Sequence, residues 1–169
     1  MKSKVIYSNQ SGRKAPPVMF MKQCVLDTLA HQNKIGEISL ALIDKATMQA
    51  LNWQHRQKDY ATNVLSFPAD IPIALKQTIP FLGDIIICPE VAQDEALKHN
   101  KPFQNHMAHL LIHGTLHVLG HDHEKDEDAT VMENIEIQLL QNLNIPNPYT
   151  LRASRDEGVT PRLQEGEMF

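Results

Sequence analysis

The stretch HGTLHVLGHDH, residues 113–123, holds four of the chain's nine histidines and leaves its backbone few choices. Residues four apart on a helix share a face, with Cβ atoms roughly 6 Å apart, and His113 and His117 form such a pair. Gly120 follows where such a helix needs a stop, because glycine takes the left-handed conformation at little cost. The chain is predicted to reverse there and to bring His121 or His123 back toward the pair. Any fold of this sequence must therefore gather a helix end, a sharp turn and a third imidazole at one point.

Two imidazoles at that spacing can bind one zinc ion, with Zn–N of about 2.0–2.1 Å, and a third leaves one tetrahedral position to water, as in catalytic sites. A histidine-rich helix end without metal is the weaker reading, because spacing, turn and third ligand agree. His106 and His109 continue the stripe but lie too far from the Gly120 turn to share that third ligand. They are expected to be partly exposed or pocket-lining. The segment also fits the zinc-protease pattern H-E-x-x-H-x-x-G-x-x-H, except that Gly114 stands where that pattern has glutamate. That glutamate is the general base for water attack. Glycine accepts no proton, so peptide hydrolysis is disfavoured. A zinc ion alone still lowers the pKa of its water to about 7.

The remaining chain sets the frame. Its 169 residues suit one domain, and 42% hydrophobic with 21% charged residues is ordinary for a globular protein. A formal net charge of −4 excludes a protein held on nucleic acid by bulk positive charge; an RNA substrate would need a local basic patch. Cys24 and Cys88 read as small buried hydrophobes rather than a disulfide. The N-terminal residues carry no apolar stretch of signal-peptide length and no segment reaches membrane-spanning length, so the cytoplasm is the expected location, with no membrane partner.

Apolar spacing predicts strands near residues 5–10, 37–44, 64–68 and 83–90, the last an interior strand. It predicts helices within 16–33 and near 45–56, 91–99, 104–119 and 126–143, with a polar loop at 57–63 and irregular chain at 69–81. The order β-α-β-α-β-β-α-α-α implies an α+β fold: a small mixed sheet packed with about five helices, one a zincin-like histidine-bearing helix. Residues 1–149 are expected to form the single domain and 150–169 a peripheral or disordered tail.

A second informative stretch is HRQKDYATNVLSFP, residues 55–68. Arg56 and Lys58 read most simply as solvated charges, but beside a zinc site they can bind phosphate, Arg56 through a bidentate guanidinium. Together, HGTLHVLGHDH, HRQKDYATNVLSFP and LGDIIICPE resemble the YbeY family of metal-dependent endoribonucleases, and DATVMENIEIQLL resembles that family's closing helix. The resemblance spans about residues 5–149. It implies a single-strand-specific RNA cleavage enzyme acting in 16S rRNA 3′-end maturation and ribosome quality control. It implies one Zn2+ per chain on His113, His117 and His123, and makes Arg56 the arginine that engages RNA phosphate. It also implies single-stranded rRNA and the small ribosomal subunit as partners, with ribosomal proteins or a GTPase as further candidates. His121 stands where tyrosine is common in that family, and Asn63 where aspartate is frequent.

On this reading Arg56, His113 and His117 are the catalytic candidates, and Arg56, Lys58 and Ser66 the substrate-binding ones. The nucleophile is either zinc hydroxide or the RNA 2′-hydroxyl. Asp122 either caps the turn or orients a ligand histidine, and His121 or Asp122 can assist proton transfer. Two rivals stand beside the nuclease: a non-catalytic ribosome assembly factor with a structural zinc, and a small-molecule metallohydrolase.

Overall fold

The computed structural model describes residues 2–70 and 79–150 of the chain. Four strands, β1 (Lys4–Asn9), β2 (Glu37–Leu42), β3 (Val64–Pro68) and β4 (Phe81–Ile87), form one sheet in the order β1-β2-β4-β3. β1, β2 and β4 run parallel, while β3 pairs antiparallel with β4 and forms an edge. The helices are α1 (Val18–His31), α2 (Lys45–Arg56), α3 (Pro89–Lys98), α4 (Phe103–Val118) and α5 (Asp126–Asn142). This is the expected α+β order with a mixed four-stranded sheet. The strand anticipated at 83–90 starts earlier and ends at Ile87, because Pro89 opens α3 at a position where its missing N–H costs nothing.

Alternation along the strands divides the sheet between two apolar layers. Ile38, Leu40 and Leu42 of β2 with Ile85 and Ile87 of β4 join Met21, Val25 and Leu29 of α1 and Leu110 and Leu111 of α4 in the main core. On the opposite face Leu65 and Ile86 pack with Met48 of α2 and Cys88. Cys24 and Cys88 are free and buried, and burial raises the Cys24 thiol to about 12. From His106 to Val118 every residue of α4 is buried. A helix enclosed all round is an interior element, so its histidines are held by neighbours on every side rather than by solvent. Asp44 caps α2, its carboxylate accepting from Thr47 N–H at 2.8 Å, and Gln57 ends it in the left-handed region at φ 57°.

The loop anticipated at 57–63 is polar but not wholly outside, since Thr62 and Asn63 are buried. Most of the irregular stretch expected at 69–81, residues 71–78, lies outside the described residues, as does the expected tail beyond Thr150. Among the described residues no helix is long and apolar enough to cross a membrane.

Candidate metal centre

His113 and His117 project from the last turns of α4, and Gly120 at φ 99° carries the chain out of the helix. The Gly120 N–H donates to the His117 carbonyl at 3.0 Å and the His121 N–H to the Leu116 carbonyl at 3.0 Å, closing the helix as a left-handed cap requires. Nothing lies within 4 Å of where a Cβ on Gly120 would sit, so backbone conformation and not space calls for glycine there. Of the two residues proposed to return, His123 does so. His113, His117 and His123 each offer one nitrogen within 4.8 Å of the others, and the described residues hold no other such group. His121 turns away, its Nε2 lying 2.8 Å from Gln32 Oε1. Asp122 caps the turn by accepting from the His123 N–H at 2.7 Å and the Glu124 N–H at 3.3 Å.

The donor set fits a metal ion. The Nε2 atoms of His113, His117 and His123 are buried and make no hydrogen bond at those atoms. Buried polar atoms in folded proteins are nearly always hydrogen-bonded, so three of them facing one another mark a ligand position. Burial pushes the His117 imidazole down to about 3, reinforced by the charges of His113 and His123, and burial also lowers His113. Both rings are neutral near pH 7, the form that binds a metal.

What holds His113 comes from outside the motif. Glu136, on the buried face of α5 with Ala129, Met132, Leu139 and Leu140, is fully enclosed. Its Oε2 accepts from His113 Nδ1 at 2.5 Å, while its Oε1 accepts from His109 Nε2 at 2.9 Å and from the Tyr149 hydroxyl. Burial alone would favour the neutral acid, but the adjacent His113 and His109 outweigh it through charge and hydrogen bonding and hold the pKa well below the usual range. The spacing analysis missed this residue; its signal was a carboxylate in phase with an apolar stripe.

Gly114 now has a physical explanation. A Cβ there would lie 3.1 Å from Ile85 Cγ2, 3.2 Å from Ser66 Oγ and 3.3 Å from Val64 Cγ2. Position 114 is pressed against β3 and β4, and any side chain there requires these neighbours to give way by a few tenths of an ångström. Ser66, expected to meet substrate, donates to the Gly114 carbonyl at 3.0 Å, so it ties the edge strand to the helix.

His106 and His109 are not partly exposed. They are 1% and 2% exposed, because α3, α5 and Tyr149 close over that end of α4. His106 Nε2 meets Glu95 at 2.9 Å, and Glu95 also accepts from Asn63 Nδ2 at 3.0 Å. Aspartate at position 63 would set two carboxylates together, whereas Asn63 supplies a donor. Both histidine rings do line a cavity of about 380 Å³, with Lys101, Asn105 and Ile145.

Arg56 is half-buried at the end of α2, its Nη1 3.4 Å from Asn52 Oδ1, and Lys58 is exposed just beyond. Asn52 donates to the Tyr60 carbonyl at 2.8 Å and so pins the loop that carries Lys58 to the helix that ends in Arg56. The His55 ring meets Phe67 in a tilted contact with centroids 4.9 Å apart, next in sequence to Ser66, which brings this helix end onto the edge strand that α4 also touches.

The Endoribonuclease YbeY family model matches residues 10–144. An endoribonuclease YbeY of Acinetobacter baumannii is 49% identical over 135 residues, 76% of this chain and 85% of its own length. Those of Pseudomonas putida and Nitrosococcus oceani are 49% and 43% identical over 121 residues, 72% of this chain and 76% and 79% of theirs. The solution structure of TM1509 from Thermotoga maritima is similar in fold, with TM-score 0.60 and 22% identity, covering 90% of this chain and 95% of that one.

Proposed function

This chain belongs to the YbeY endoribonuclease family, and from that premise we propose that it is a metal-dependent endoribonuclease that cleaves single-stranded RNA in maturation of the 16S rRNA 3′ end. The observation that carries the reading is the convergence of His113, His117 and His123 on one point. Three imidazoles suit zinc and match the open, catalytic form of its sites, whereas structural zinc takes four protein ligands. That count favours the nuclease over an assembly factor with a structural zinc. A zinc ion held there supplies a water acidified toward neutral pH and an electrophile for a phosphoryl oxygen.

The chain's own residues do the rest. Arg56 carries a permanent positive charge on a pinned helix end and neutralises charge developing on the phosphoryl oxygens. Lys58, exposed beside it, draws the RNA backbone in. No carboxylate stands at position 114, and both oxygens of Glu136 are engaged in hydrogen bonds, so neither position supplies a free base. RNA carries its own nucleophile in the 2′-hydroxyl, which suits such a site; peptides do not. The enzyme would act in the cytoplasm on the small ribosomal subunit, where ribosomal proteins or a GTPase would be its partners.

Arg56→Glu tests the reading. Cleavage of a single-stranded rRNA fragment should fall about 10²–10³-fold, the usual loss on removing one charge-stabilising donor, while zinc content stays at one per chain. Undiminished cleavage would make Arg56 a surface charge.

A further inference from the structure

We infer that Glu136 is a positioning residue that fixes His113 with its proton on Nδ1, so that Nε2 presents its lone pair to the point where His117 and His123 converge. The inference rests on the metal-ligand reading above and says how that site is kept in register.

Three observations carry it. The Glu136 side chain is 0% exposed and its described hydrogen bonds go to His113, His109 and Tyr149, so it acts through His113. Position 114 of α4 packs tightly against Ile85, Ser66 and Val64 and carries no carboxylate, and the carboxylate that reaches His113 comes from α5. Glu136 also sits on a face of α5 otherwise made of Ala129, Met132, Leu139 and Leu140. A buried carboxylate is costly to desolvate, so packing alone does not account for one there. An imidazole can carry its proton on either nitrogen, and its partner decides which. A carboxylate has only acceptors. His113 must therefore donate from Nδ1, and Nε2, which makes no hydrogen bond, is left as the acceptor. Tyr149 and His109 donate to the other oxygen and keep the carboxylate from turning. Carboxylates behind metal-bound histidines act in this way in other sites.

The test uses the full-length protein. Nitrogen-15 NMR of the metal-free wild type should show His113 protonated on Nδ1. Glu136→Gln, whose amide can also donate, should let His113 populate both forms. It should also weaken zinc affinity about 10–100-fold, read by competition with a chromophoric chelator. Tyr149→Phe keeps the carboxylate on His113 and should stay within about threefold of wild type. His113 protonated on Nε2 in the wild type would overturn the inference, and that measurement stands even if Glu136→Gln fails to fold. So would wild-type zinc affinity in Glu136→Gln, or equal losses in both variants, which would point to packing. A wild type that binds no zinc while His113 keeps its Nδ1 proton would bring down the ligand assignment but not the orienting contact.

Discussion

Each end of α4 carries a pair of histidines, three residues apart toward the start and four toward the end, and uses them differently. His106 and His109 lie toward the start of the helix and His113 and His117 toward its end, all buried. Toward the start each Nε2 is spent on a carboxylate, Glu95 for His106 and Glu136 for His109. Toward the end the Nε2 atoms face one another, and His113 uses Nδ1 for Glu136. Helical spacing makes a candidate ligand pair. What separates a ligand from a hydrogen-bonded core histidine is which nitrogen the neighbours occupy.

The largest effect should come from removing a member of the converging group. His123→Ala leaves two ligands on the helix and should abolish tight zinc binding, read by metal analysis after dialysis; retained stoichiometric zinc would break the contrast between the two ends. Next comes Gly114→Glu, which restores the protease-like pattern on paper. It forces a carboxylate against Ile85 and Val64 and should cost about 3 kcal/mol or more from overpacking and an unpaired buried charge. Chemical denaturation checks it, and a stable variant with new peptidase activity would refute the steric account.

The N-terminal pair can be probed through acid. Burial, aided by His109 and Lys101, lowers the His106 pKa from 6.5 to about 3. Between those values the unfolded chain binds a proton that the folded one does not, so the stabilisation is fully present above about pH 6.5 and drains as pH falls toward 3. Moving metal-free protein from pH 7 to 5 should cost the wild type about 2 kcal/mol more than His106→Gln; equal losses would mean His106 is charged when folded. The smallest effect is expected for His109→Gln, which keeps a donor near Glu136 and should leave zinc affinity within about fivefold of wild type.

Much of this was legible in the chain. The element order, the i, i+4 pair and the Gly120 turn all follow from contacts within a few residues, which spacing and backbone preference describe well. Glu136 was not, because its meaning depends on α5 crossing α4 23 residues away. Asn63 likewise acquires its role from Glu95, 32 residues on. A histidine stripe looks polar in sequence, so the reading of His106 and His109 as partly exposed or pocket-lining could not choose between the two; only tertiary packing shows α4 to be an interior helix whose histidines line a cavity. The hydrogen bond from Ser66 to the Gly114 carbonyl, a pairing across 48 residues, could not be read from spacing either.

The central claim is that the histidines at the C-terminal end of α4 hold the metal that RNA cleavage needs. The direct measurement is zinc content and single-stranded rRNA cleavage, determined together on the same preparations of wild type and His117→Ala. The account predicts that both are lost in the variant. Zinc lost with cleavage unchanged would contradict it and move the nuclease activity away from this centre.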